Sequence, residues 1–386
     1  MNIKEKDSLY VANTYGRFDV EIVKGKGSLL YDDEGKEYID MCTGIAVNTL
    51  GVADEGWINA VTAQLSKVQH VSNLYYSAPQ AELAELLCKR TEMKKVFFGN
   101  SGAEANECAI KVARKYAAEK KGADCNIIIT LVNSFHGRTI TTLAATGQEV
   151  FHKDFLPLTE GFKHAVANDI ESVKALVAEG NVAAVMVEPV QGEGGVLPLT
   201  KEFCAGLAAI AAENDILLIA DEVQTGNGRT GALYGYMKLG FAPDIVSTAK
   251  GLAGGLPMGA CLMNEKTAGV LTAGSHGSTF GGNPIAAAGA LYVINSLTDE
   301  LLADVNKKSE YIFRTLEGKP GIKSVSGMGL MIGIETEKDA GEVIAACIEK
   351  GVIPLKAKNK VRLLPALNIP MELLEKAVAV ILEAAV

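Results

Sequence analysis

Lys250 is the first residue whose setting suggests chemistry rather than packing. It follows the run Asp244-Ile245-Val246-Ser247-Thr248-Ala249 and precedes Gly251-Leu252-Ala253-Gly254-Gly255, so a long amine stands at a strand end among small and apolar residues. Loss of hydration there lowers an amine's pKa and makes it nucleophilic, as Schiff-base chemistry requires. The plain alternative is a lysine capping a loop. Asp221 closes the apolar run Ile216-Leu217-Leu218-Ile219-Ala220, and a carboxylate buried there needs a partner because an isolated buried charge is costly. A protonated pyridine nitrogen would be such a partner, and it makes pyridoxal phosphate (PLP) an electron sink. A helix cap or a structural salt bridge would satisfy Asp221 as well; its pairing with Lys250 favours the cofactor.

An anion site adds to these two residues. Phe97-Phe98-Gly99-Asn100-Ser101-Gly102-Ala103-Glu104-Ala105-Asn106 runs from a strand through a glycine-bearing turn into a helix, so free backbone N–H groups and the positive end of the helix dipole meet at one spot. An ordinary turn with Ser101 as N-cap has the same geometry without a ligand. Two other patterns lead nowhere. The run ending in Asp221-Glu222 has the form of a magnesium-holding strand of P-loop ATPases, but no G-x-x-x-x-G-K-[ST] loop exists to complete it. Gly226-Asn227-Gly228-Arg229-Thr230-Gly231 fits G-x-G-x-x-G, yet five residues separate it from the preceding strand and no helix pattern opens on it. The histidines at 70, 136, 152, 164 and 276 lack metal-ligand spacing, so no metal site is expected.

These residues need a scaffold, and the sequence outlines one. Short apolar runs at Val96–Phe98, Asn126–Thr130, Val182–Glu188, Ile216–Ala220, Ile245–Ser247 and Gly259–Met263 alternate with helical stretches at Ala103–Lys120, Ile170–Glu179 and Lys201–Asn214. That alternation is the mark of βαβ units in a mostly parallel sheet, an α/β fold. Before it, Ser28–Tyr31 and Glu37–Asp40 flank the turn Asp32-Asp33-Glu34-Gly35 as an antiparallel hairpin. After Pro284 come a long helical region, strand-like Ile322–Val325 and Leu330–Glu335, a helix near Gly341–Lys350 and a last helix at Met371–Ala385. The two chain ends are expected to form a second, smaller α+β domain (1–55 with 286–386) beside a large one (56–285).

Composition agrees with a globular enzyme. The 386 residues hold 37 basic and 46 acidic side chains, a net charge of −9, which disfavours a nucleic-acid partner. An apolar share of 48% with 22% charged residues permits a large core and excludes dominant disorder. Seven widely spaced cysteines without a C-x-x-C pair read as reduced, cytoplasmic usage. The amino end lacks an apolar h-region, and no stretch approaches the roughly 18 apolar residues of a membrane span.

Taken in order, the motifs resemble a known family. Asn100-Ser101-Gly102-Ala103-Glu104-Ala105-Asn106, Ser134-Phe135-His136-Gly137-Arg138-Thr139, Glu188-Pro189-Val190-Gln191-Gly192-Glu193-Gly194-Gly195, Ala220-Asp221-Glu222-Val223-Gln224-Thr225-Gly226, Lys250-Gly251 and His276-Gly277-Ser278-Thr279-Phe280-Gly281-Gly282-Asn283-Pro284 resemble the ordered signature of the class III aminotransferases, PLP enzymes of fold type I. The resemblance covers nearly the whole chain and implies a mostly parallel, seven-stranded sheet flanked by helices. Thr14-Tyr15-Gly16-Arg17-Phe18, Gly44-Ile45-Ala46-Val47-Asn48 and His70-Val71-Ser72-Asn73-Leu74-Tyr75-Tyr76 resemble the acetylornithine branch of that family. One departure is plain: Gly51-Val52-Ala53-Asp54-Glu55-Gly56 stands where the family usually reads G-H-x-H-P.

Carried over residue by residue, the resemblance implies that Lys250 anchors PLP and then moves the proton, while Asp221 pairs with the ring nitrogen. Gln224 would meet the ring hydroxyl, Phe135 the ring face beside Val223, and Ser101, Gly102 and Ala103 the phosphate. Thr279 would reach the same phosphate from the neighbouring subunit, with Ser278 near the substrate, which makes the active unit a homodimer. Arg138 would clamp a substrate carboxylate, Glu193 would screen Arg362 during one half-reaction, and Tyr15 would line the acyl side. The implied substrates are acetylornithine and 2-oxoglutarate, with succinylornithine, ornithine or 4-aminobutyrate as alternative donors and glutamate as product. A non-catalytic relative is disfavoured because Lys250, Asp221 and Arg138 are all present.

Overall fold

The computed structural model describes residues 1–386. At its centre is a seven-stranded sheet in the order Lys95–Gly99, Gly259–Met263, Ile245–Thr248, Leu217–Asp221, Val182–Val187, Ile127–Leu131, Phe162–Ala165. Gly259–Met263 runs antiparallel to both neighbours, and the other paired strands are parallel. Every residue of Val182–Val187 and Leu217–Asp221 is buried, as continuous apolar strands covered on both faces must be. The six expected strands all lie in this sheet. The seventh, Phe162–Ala165, is a half-buried edge strand whose Phe-Lys-His-Ala sequence breaks its apolar residues with Lys163 and His164.

Helices cover the sheet because their apolar residues recur on one stripe. Along Gly102–Lys121 the buried Ala105, Cys108, Ala109, Val112, Ala113 and Tyr116 follow helical spacing. Ser101 caps this helix by accepting the N–H of Glu104 at 3.2 Å. The parallel arrangement brings Gly99, Leu131, Val187, Asp221 and Thr248, the carboxyl ends of five strands, to one edge. In open α/β sheets that edge is where ligands bind.

The chain ends meet elsewhere. The hairpin of Leu29–Asp32 with Glu37–Asp40 forms, its turn held by Asp32 Oδ1, which accepts the N–H groups of Glu34 (3.1 Å) and Lys36 (2.8 Å). An additional strand, Ile22–Lys26, pairs outside it, and Val352–Ile353 from the far end adds in parallel to Glu37–Asp40. A separate sheet orders Ile322–Met328, Met331–Thr336, Lys360–Leu363 and Leu355–Ala357. Arg362 therefore lies inside a strand.

The helical region after Pro284 breaks into Pro284–Ser296 and Asp299–Leu316, bent by 72°. Thr298 supplies the second N-cap. No single helix is long and apolar enough to cross a membrane. The unusual segment Gly51–Gly56 is a local device: Gly51 at φ +83° lies so close to Gly27 that a Cβ would meet its carbonyl oxygen at 2.6 Å, and Asp54 caps the helix Glu55–Leu65.

Candidate functional site

A cavity of about 290 Å³ opens at the carboxyl edge of the sheet, walled by Lys250, Asp221, Phe135, Arg138, Glu188 and the helix start at Gly102–Ala103, with Val223 and Gln224 beside them. Residues from five separate stretches of sequence thus converge on one space.

Asp221 is the most completely held of them. Its Oδ2 accepts from His136 Nδ1 at 2.7 Å and from Asn106 Nδ2 at 2.8 Å, and its Oδ1 accepts the Val223 N–H at 3.0 Å. Burial disfavours a charged His136, but the hydrogen bond to Asp221 and the nearby carboxylates outweigh it and raise the imidazole pKa. Glu188, buried alongside, has its carboxyl pushed up to about 7, chiefly by burial. Its two oxygens accept the N–H groups of Phe135 (2.9 Å) and Gly192 (3.2 Å), tying the aromatic wall to the Gly192–Gly195 loop.

Lys250 begins a short 3-10 turn, Lys250–Ala253, with φ +45°, a left-handed conformation that a non-glycine residue adopts only under strain. Burial pushes its amine down to about 8; the carboxylates of Glu193, Asp221 and Glu188 oppose the shift, and Arg362 adds to it. Its neutral, nucleophilic form is therefore accessible near physiological pH.

At the anion corner, the first N–H groups of the helix have no intrahelical acceptor. Gly102 is required by space, since a Cβ there would meet the Val223 side chain at 2.6 Å. Glu104 shapes the turn by accepting from the Asn100 N–H (2.8 Å) and the Ser101 hydroxyl (3.0 Å).

Two arginines stand near the cavity in opposite states. Arg362, 2% exposed, donates from Nη1 to Glu193 Oε1 at 2.7 Å and to Gln224 Oε1 at 3.0 Å. Gln224 also donates to Glu193 at 3.4 Å, so its amide is engaged with this pair. Burial pushes the Glu193 carboxyl up, but the charge and hydrogen bond of Arg362 win and hold it low. Arg138 is exposed and forms no ion pair; its guanidinium lies 5.7 Å from the Phe135 ring centre and 5.0 Å from that of Phe151.

Six residues implied by the sequence do not line this chain's own cavity. Ser101 precedes Gly102 at its border, and Glu193 and Arg362 reach it through Gln224; the other three lie farther out. Ser278 accepts from Asn100 Nδ2 (3.1 Å) and the Gly281 N–H (3.0 Å), Thr279 is exposed, and Tyr15 is 69% exposed with Arg17 5.5 Å from its ring. The sequence assigned no role to His136, Asn106 or Glu188. All three stand within the motifs of the family resemblance; beyond that, His136 and Asn106 were signalled only by the need of a buried Asp221 for partners, which lie far away in the chain.

The cavity suits PLP. A buried carboxylate awaits a cationic ring atom, Phe135 supplies an apolar wall, a helix start awaits a phosphate and Lys250 brings an amine to the same space.

Residues 10–385 match the family described as Aminotransferase class-III. The acetylornithine aminotransferase of Haemophilus ducreyi is 49% identical over 381 residues, covering 98% of this chain and 97% of its own. The N-acetylornithine aminotransferase structure from Stenotrophomonas maltophilia is 35% identical with a TM-score of 0.85, covering 98% of this chain and 97% of that one. An ornithine aminotransferase structure from Toxoplasma gondii, which holds PLP at partial occupancy in its active site, is 31% identical with a TM-score of 0.94, covering 99% and 93%. The full-length match, together with a cavity fitted to the family's cofactor, shows that this chain belongs to the class III aminotransferases, enzymes that depend on PLP.

Proposed function

We propose that this enzyme transfers the δ-amino group of N2-acetylornithine to 2-oxoglutarate, giving the semialdehyde and glutamate. The observation that carries this reading is the contrast between the arginines: Arg362 is closed off by Glu193 at 2.7 Å, while Arg138 is free. A donor with one carboxylate and one distal amine needs one free guanidinium; ornithine and 4-aminobutyrate share this shape with acetylornithine, so the contrast supports the ω-amine class and the relatives support the acyl group. The names of the relatives from Haemophilus ducreyi and Stenotrophomonas maltophilia support the same substrate. The high TM-score of the ornithine enzyme favours ornithine as the second reading.

When bound, PLP supplies an electron sink for the carbon that loses its proton. Lys250 would hold it by its amine and, once released, carry that proton. Asp221, kept in place by His136 and Asn106, would hold a proton on the ring nitrogen. Ser101, Gly102 and Ala103 would take the phosphate, Phe135 and Val223 the ring faces and Gln224 the ring hydroxyl. Arg138 would clamp the donor's carboxylate as a planar bidentate fork. Release of Arg362 from Glu193 would then admit the α-carboxylate of glutamate. Glu193 belongs to segment 56–285 and Arg362 to segment 286–386, so the two proposed domains would share this gate.

We further propose a homodimer. Exposed Thr279 borders Phe280, 60% exposed, and Leu74, Tyr75 and Tyr76 are also uncovered. An apolar surface of this kind supports burial against a second copy, in which Thr279 and Ser278 would serve the partner's cavity and Tyr15 the acyl side. Seven free cysteines support a reducing, cytoplasmic setting.

The test is a side-by-side assay of acetylornithine, succinylornithine, ornithine and 4-aminobutyrate with 2-oxoglutarate. The highest kcat/KM is expected for acetylornithine; a clear preference for ornithine or 4-aminobutyrate would replace this substrate reading.

A further inference from the structure

We infer that Phe151 is a positioning residue for Arg138, and through it for the donor's carboxylate and for the distal carboxylate of 2-oxoglutarate, whose α-carboxylate falls to Arg362. This rests on the reading of Arg138 as the carboxylate clamp.

An arginine that must receive a substrate carboxylate faces a conflict. Left alone, a long flexible side chain loses rotamer entropy on binding. Held by a protein carboxylate, its N–H edge is already occupied. Arg138 avoids both outcomes. It has no acidic partner and no hydrogen bond, yet it lies against two aromatic rings, with the ring centre of Phe151 at 5.0 Å and that of Phe135 at 5.7 Å. The rings meet edge to face, their centres 5.7 Å apart and their planes at 72°. Attraction between a guanidinium and an aromatic ring restrains the side chain while leaving donors for a carboxylate.

The turn that carries Phe151 is itself anchored. Phe151 ends the short turn Glu149–Phe151, and its N–H donates to the Gln148 carbonyl at 3.1 Å. Gln148 Nε2 donates to the Ser134 carbonyl (3.1 Å), next to Phe135. On the other side, His152 Nε2 donates to the carbonyls of Thr146 (2.7 Å) and Leu143 (2.9 Å). Phe151 is thus a ring on a pinned turn, facing an arginine whose only restraint is aromatic.

The experiment compares kcat and KM for acetylornithine and 2-oxoglutarate in the PLP-loaded enzyme and in Phe151→Leu, Phe151→Tyr, Arg138→Gln and Arg138→Gln/Phe151→Leu. Leucine keeps the apolar bulk and removes the ring, so both KM values should rise about three- to tenfold with kcat changed less than about twofold. Tyrosine keeps the ring and should restore KM. In the Arg138→Gln background, where kcat/KM is read from the linear range, Phe151→Leu should cause no further loss. Unchanged KM in Phe151→Leu, or an equal loss with and without Arg138, would overturn the inference. If Arg138→Gln itself leaves KM unchanged, the clamp reading fails instead, which is a separate result.

Discussion

Asp221 and Glu193 are both carboxylates beside the same cavity, and they are held in opposite ways. Asp221 ends a fully buried strand, is 3% exposed and accepts three hydrogen bonds from three separate elements. Glu193 sits in a glycine-rich loop with its side chain 29% exposed, and its one short contact is to Arg362. A charge that must persist through every step is over-determined by its surroundings. Glu193, proposed to come and go, has a single strong partner and stands in a close-packed loop where Gly195 adopts φ +110°, a conformation that other residues rarely take. If Glu193 is the proposed gate, permanence and release are separated within one site.

The fixed side should fail outright when cut. Lys250→Ala removes the proposed anchor and proton carrier, and general acid–base work alone is worth roughly 10²–10⁴-fold, so turnover should vanish with the fold intact. Borohydride should fix PLP covalently to the parent enzyme and not to this variant; covalent fixation at an unchanged level would exclude Lys250 as the anchor. Asp221→Asn keeps the size of the side chain but not its charge. Since an opposite charge moves a neighbour's pKa by about 1–3 units, activity should fall roughly ten- to thousandfold while PLP stays bound. Near-parental turnover would make Asp221 a structural residue only.

The environment of Lys250 can be probed without turnover. Its amine is pushed down to about 8 by burial, so in cofactor-free protein its neutral fraction rises through pH 8 rather than above pH 10. At pH 8 it should react about a hundredfold faster with an amine reagent such as trinitrobenzenesulfonate than a lysine of ordinary pKa. A reactivity midpoint above pH 10 at Lys250, located by peptide mapping, would contradict this.

What the sequence disclosed and what it hid divide along physical lines. Lys250 and Asp221 were readable because their signal is local: each ends an apolar strand and contrasts with its own neighbours. The six apolar strands were readable for the same reason, the edge strand Lys95–Gly99 included through its Val96-Phe97-Phe98 run, whereas Phe162–Ala165 was not, because Lys163 and His164 interrupt its apolar residues. His136 stood among five scattered histidines and gained meaning only through contact with Asp221, 85 positions away. Phe151 had no local mark either, since its neighbour Arg138 joins it through the folding of a loop. The pairing of Glu193 with Arg362 spans 169 positions; only the family resemblance suggested it in advance.

The gate is where the comparison between fixed and releasable charge is most open to attack. If Glu193 screens Arg362, the acylated donor docks its one carboxylate on Arg138 and presents its distal amine. Glu193→Ala would leave Arg362 charged, almost fully buried and free to take the α-carboxylate of any amino acid. The donor would then often bind reversed, while glutamate should bind as well or better. A charge-assisted contact of this kind is worth roughly 1.5–3 kcal/mol, which corresponds to about a ten- to hundredfold swing in preference. Gln224 would keep its 3.0 Å contact to Arg362, and a neutral amide orients the guanidinium without cancelling its charge, so the swing should survive in full. Single-turnover conversion of the cofactor, followed separately with acetylornithine and with glutamate, should show the first slowed and the second unchanged or faster. Equal slowing of both would mean that Glu193 holds Arg362 in place without ever releasing it, and the distinction drawn between the two carboxylates would collapse.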